Sequence, residues 1–129
     1  TIVLRNEGQI SINGSGSAQL SAPVPADGAD EWEGVLFYQD RDTTTECTNN
    51  CNTLNGNSTT EFEGTIYFPK QEIKLNGGND SSLAVDNCLQ IIALEVQFTG
   101  NSDIVSDNAA CAAAGVTGIP LPGPVELIE

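Results

Sequence analysis

The side chains that could carry chemistry in this chain are few. Its 129 residues contain no histidine, four cysteines, and 18 acids against four bases, for a net charge of −14. Without histidine, a serine or cysteine nucleophile lacks its usual base. Asp40, Asp42 and Glu46 lie close in sequence, and glycan-cleaving enzymes work with paired carboxylates. No apolar surroundings are visible that would raise one of these carboxyls above its partner, so they read as a solvated loop and no catalytic residue is assigned.

Calcium is the better match for the acids, since it takes six to eight oxygens from carboxylates, amides and carbonyls. Gln39-Asp40-Arg41-Asp42-Thr43 offers several, which makes Asp40 and Asp42 the candidate calcium ligands. The EF-hand spacing and the Gly-Gly-x-Gly-x-Asp repeat are both missing, and Arg41 can neutralise a neighbouring acid, so no cofactor is required. Trp32, Tyr38 and Tyr67 are the candidate ligand contacts, because exposed rings give stacking surfaces. The blander role for Trp32 is a hydrophobic plug beneath its loop.

The four cysteines read as two disulfides in an oxidising compartment. Cys47 and Cys51 would pin a tight loop, and Cys88 and Cys111 would close a longer one. The first spacing also suits a metal knuckle, but Cys88 and Cys111 stand 23 positions apart and supply no second such pair. The acidic charge repels phosphate backbones and anionic membrane faces, which argues against nucleic-acid partners. No stretch has the roughly 20 apolar residues needed to cross a bilayer, so no direct membrane insertion is expected. An exported chain in an oxidising compartment is the expectation.

Self-similarity organises the rest. Ile12-Asn13-Gly14, Leu54-Asn55-Gly56, Leu75-Asn76-Gly77 and Phe98-Thr99-Gly100 repeat one phrase, with glycine intervals of 42, 21 and 23. The 42-residue interval is twice the shortest and holds another apolar segment but no second copy of the phrase. A more apolar phrase alternates with it, in Val35-Leu36-Phe37-Tyr38, Thr65-Ile66-Tyr67-Phe68 and Leu89-Gln90-Ile91-Ile92. These are short runs rich in β-branched and aromatic residues, bounded by Gly, Asn and Ser, and they read as strands. The Asn-Gly phrases alternate, as in Glu72-Ile73-Lys74-Leu75, which sets one face inward. The apolar phrases read as covered on both faces. Thr1–Leu4 opens the series and Val125–Ile128 closes it.

Two strands and two turns in about 21 residues is one coil of a parallel β-solenoid. The expectation is one all-β domain over 1–129, a small right-handed solenoid of about four to five coils with disulfide-stapled loops. Glycine at each corner allows a left-handed backbone, and recurring asparagine there can form an amide ladder between coils. An antiparallel β-sandwich also has short strands and turn residues, and is the competing architecture. The segments 21–33, 40–52 and 102–123 break the rhythm as insertions, and Asp107–Gly115 is the one expected helix, capped by Asp107 and ended by Gly115.

The phrases Gly34–Asp42, Cys47–Ser58 and Gly64–Pro69 resemble the C-terminal region of TadG-like proteins, which are associated with tight-adherence (Flp) pilus assembly in bacteria. The resemblance runs over nearly the whole chain, through Val125–Glu129. It implies an envelope-anchored protein facing the periplasm or cell exterior, held by a segment outside this sequence, and it carries no catalytic residue. The von Willebrand A-like metal motif often found in that group, Asp-x-Ser-x-Ser, is missing here. The resulting expectation is a non-catalytic structural or adhesive module with protein partners in the envelope or pilus. The alternative is a secreted β-helix that binds or cleaves carbohydrate.

Overall fold

The computed structural model describes residues 1–13, 19–27, 31–43, 46–56, 61–77, 88–100 and 108–116. Among them are seven strands, β1 (Ile2–Leu4), β2 (Ser11–Ile12), β3 (Gln19–Ser21), β4 (Val35–Gln39), β5 (Cys47–Gly56), β6 (Glu61–Gly77) and β7 (Leu89–Gly100), and one helix, α1 (Asn108–Ala113). The protein is all-β, and its strands form a curled sheet with β6 at the centre.

Each strand pairing is parallel: β1 with β4, β4 with β6, β6 with β7, β2 with β5, β5 with β6 and β3 with β6. Among the described residues no pairing is antiparallel, so an antiparallel sandwich is not what they form. Neighbours in the sheet are successive copies of a phrase, so side chains of like character line up in columns. Ile2, Phe37, Ile66 and Ile91 make one column, and Ile12, Leu54, Leu75 and Phe98 another. Phe37, Leu54, Phe62, Ile66, Phe68, Ile73 and Leu75 are fully buried and form the core, with Ile10, Leu20 and Ile91 packed against it. The interior is filled by small and medium apolar groups plus three phenylalanines, as the shortage of aromatic residues requires.

Four details depart from the sequence-based expectation. The 42-residue interval is one step of the sheet, since Ile12 pairs directly with Leu54. The intervening chain carries β3, a 3-10 turn at Pro25–Asp27, and β4. Second, the apolar phrase and the Asn-Gly phrase are not separated by a turn. β6 carries both through a register shift between Phe68 and Glu72, and β7 runs beside it. Third, the apolar phrases are not covered on both faces, because Tyr38 and Tyr67 point outward and stay half-exposed while Phe37 and Ile66 point inward. Fourth, Cys47 to Asn52 is strand, with the irregularity confined to a bulge between those two residues.

Both disulfides form as paired in the sequence reading, Cys47 with Cys51 and Cys88 with Cys111. The first lies within the β5 bulge. The second ties α1 to the start of β7, where Ala114 and Val116 cover the buried Cys88. Gly115 ends the helix with φ of 74°, as expected of a helix-terminating glycine. Of the expected insertion at 102–123, residues 102–107, Asp107 among them, and 117–123 lie outside the described residues, as does the expected closing strand Val125–Ile128. No helix among the described residues is long and apolar enough to cross a membrane.

Candidate functional site

The three aromatic residues singled out in the sequence come together. Tyr38 on β4 and Tyr67 on β6 are direct register partners. Because side chains alternate along a strand, burying Phe37 and Ile66 sends both tyrosines to the outer face. Their rings stack at 5.4 Å between centroids with 12° between planes. Trp32 occupies the turn that leads into β4, held by the Val35 N–H donating to its carbonyl at 3.0 Å. Its ring meets Tyr38 edge-on at 5.3 Å and 74°. Trp32 is half-buried against that ring, and so is part of the outer row of aromatics.

Arg41 completes the row. Its guanidinium carbon lies 5.3 Å from the centroid of Tyr67, within cation–π range. The sequence had placed Arg41 as a neutraliser of adjacent acids, and the signal for its actual position was the pairing of β4 with β6, which local spacing does not reveal. Val3 and Ile92 flank the tyrosines in the same register. The result is a continuous outer stripe of apolar and π surface with one cation at its edge, suited to stacking against a flat partner group.

The candidate calcium ligands lie just beyond β4. Asp40 and Asp42 line a cavity of about 250 Å³ together with Asn6, Glu7 and Thr43. Asn6 and Glu7 turn through left-handed backbone, at φ of 50° and 66°. One carboxylate oxygen of Asp40 accepts the Asp42 N–H at 3.0 Å, so it shapes its own turn. Among the described residues, no three acidic or cysteine side chains converge on a point where a metal ion could be held. Glu46 is exposed and is not part of the cavity lining. Gln39, counted in the sequence as an oxygen donor for this loop, is instead fully buried, with its carbonyl oxygen accepting the Lys70 N–H at 3.4 Å.

Sequence reasoning missed a buried polar cluster at the bend between the two phrases. Asn52 donates to Gln71 Oε1 and to the Glu72 carbonyl, both at 3.0 Å, and accepts from the Ile10 N–H at 3.0 Å. Glu72 is buried as well, although alternation in Glu72-Ile73-Lys74-Leu75 had set it in solvent. The register shift before Glu72 breaks the strict period and turns this residue inward.

No family model, curated protein or solved structure matches this chain.

Proposed function

We propose that this chain is a non-catalytic adhesive module of an exported bacterial envelope or pilus-assembly protein, built as a small right-handed parallel β-solenoid that serves as a rigid platform for contact surfaces. The observation that carries the reading is the outer row of Trp32, Tyr38 and Tyr67, fixed in register by two paired strands. Aromatic residues held on a sheet need no reordering to meet a partner, and such pre-organisation favours binding. The columns of four residues support four coils. Two disulfides support an oxidising, non-cytoplasmic location. The resemblance to TadG-like proteins supplies the pilus and envelope context.

A second reading, carbohydrate binding, is favoured by the same row, since half-exposed rings can stack on the apolar faces of sugars. A glycan array with a reducing-sugar assay separates the two. The adhesive reading expects no sugar release, and binding to an envelope or pilus protein that weakens in Tyr38→Ala and Tyr67→Ala. A glycan hit abolished by Trp32→Ala would reverse the ranking, and released reducing sugar would refute a non-catalytic role.

A further inference from the structure

The cavity beyond the ends of β1 and β4, about 250 Å³ in volume, is lined by Asn6, Glu7, Asp40, Asp42 and Thr43. Three of the five are acids and none is a base. Arg41 stands between Asp40 and Asp42 in the chain, but its guanidinium is turned onto Tyr67 and is not part of the lining. Clustered acids are ordinary in a chain with a net charge of −14, and on their own they would mark nothing. Thr43 adds an independent observation. The residue is 5% exposed, and its hydroxyl oxygen is buried without a hydrogen-bond partner. The Thr43 N–H already donates to the Asp40 carbonyl at 3.1 Å, so the turn does not need the hydroxyl. A buried hydroxyl with no partner costs free energy, and the cavity that Thr43 lines is the space from which a donor can reach it.

We propose that this cavity binds an organic cation, the ammonium or guanidinium group of a lysine or arginine side chain on a protein partner. Carboxylates, an amide oxygen and a hydroxyl all accept hydrogen bonds, whereas ammonium and guanidinium groups carry donors only. A metal ion fits less well. Calcium takes roughly six to eight oxygens around a single centre, yet no three acidic side chains among the described residues converge on one point. One carboxylate oxygen of Asp40 is also committed to the Asp42 N–H. The donors of an organic cation are spread over several atoms and can meet acceptors that do not converge. A volume of about 250 Å³ is several times the roughly 30 Å³ share of one water molecule, which gives room for the end of a side chain rather than for a bare ion.

The fold places this cavity beside the aromatic row. Asp40 directly follows β4, two residues after Tyr38, and Asn6 and Glu7 follow β1, which carries Val3. A partner lying along the row can therefore reach the cavity with one basic side chain. The charge of −14 draws cationic groups toward the molecule, an attraction screened over about 8 Å at physiological ionic strength. The cavity shares no lining residue with the row, so either site can fail its test while the other stands.

Titration of the isotope-labelled full chain with acetyl-Gly-Lys-Gly-amide, followed by nuclear magnetic resonance at constant pH and ionic strength, tests the proposal. Saturable amide shifts are expected at Asn6, Asp42 and Thr43, with the arginine peptide acting likewise and the norleucine peptide shifting none of them. Asp42→Asn and Thr43→Val are each expected to weaken binding about tenfold. Thr43→Val should melt no lower than the wild type, because the hydroxyl it removes has no partner within the protein. Asp42→Asn, at an exposed position, keeps the test open should Thr43→Val fail to fold. Absence of any saturable shift overturns the proposal, and so does equal binding by the wild type and the folded variants. Calcium chloride that saturates these residues while neither basic peptide moves them would mark a metal site instead. Tighter binding of free butylamine than of either peptide would overturn the assignment to a partner's side chain.

Discussion

The side-chain amide of Asn76 donates to Oδ1 of Asn55 at 2.6 Å across the β5–β6 pair. The same contact recurs along the stack, with Asn55 donating to Asn13 and the Thr99 hydroxyl donating to Asn76. Four strands are thereby joined through one outward-facing column of polar side chains, beside the Ile12–Leu54–Leu75–Phe98 column, whose middle members Leu54 and Leu75 are buried. Asn76 has a ladder neighbour on each side, so Asn76→Ala is expected to cost about 1–3 kcal/mol. Asn13→Ala, at the exposed end, should cost less than about 1 kcal/mol. Urea unfolding of the two variants checks the ranking, and equal losses would mean that the ladder is not cooperative.

Gly64 takes a φ of 117° at the start of the apolar phrase in β6, and a Cβ there would lie 2.5 Å from that of Ala22 and 3.0 Å from the Gly34 carbonyl oxygen. Gly64→Ala combines backbone strain with overpacking, and a loss of about 2–4 kcal/mol is expected. Thermal denaturation reads this directly.

Much of the architecture was written in the recurring phrases. Ile12-Asn13, Leu54-Asn55, Leu75-Asn76 and Phe98-Thr99 are spaced along the chain in the order in which they stack, and their shared chemistry is why parallel neighbours can share columns. What the phrases could not reveal was set by tertiary register. The corner glycines are an example. Gly77 stays within β6, while the left-handed conformation falls on Gly100 and on Gly34 and Gly64 ahead of the apolar phrases. Burial of Glu72 follows from a register shift, which no local pattern announces. In the site, Tyr38 and Tyr67 could be picked as candidates by type, but their 29-residue separation becomes a stacked pair only because β4 and β6 align. Asp40 and Asp42 share a cavity, as their proximity in sequence allowed, yet one oxygen of Asp40 is committed to its own turn.

The two disulfides should differ in worth. In the chain-entropy account a longer loop gives more stabilisation, so removing the Cys88–Cys111 bridge, with a sequence separation of 23, is expected to cost about 3 kcal/mol. The Cys47–Cys51 bridge spans a separation of four, and replacing both cysteines with alanine should cost about 2 kcal/mol or less. Denaturant midpoints of the two double variants provide the comparison.

Tyr67 touches both Tyr38 and Arg41, so Tyr67→Ala removes one stacked pair and one cation–π contact. A loss of about 1–2 kcal/mol is expected, together with a weakened near-ultraviolet circular-dichroism signal from the remaining aromatics. Tyr67→Phe should keep the stability. If Tyr67→Ala leaves the signal unchanged, the row is not ordered as described.

The account rests on strands that run the same way and stay in register, and nuclear Overhauser spectroscopy of the isotope-labelled chain measures this most directly. Cross-peaks are expected stepwise between Ile12 and Leu54, Leu54 and Leu75, and Leu75 and Phe98, with the amide-to-Hα pattern of parallel pairing along β6 and β7. Strong Hα–Hα cross-peaks between those two strands, the mark of antiparallel neighbours, would contradict it.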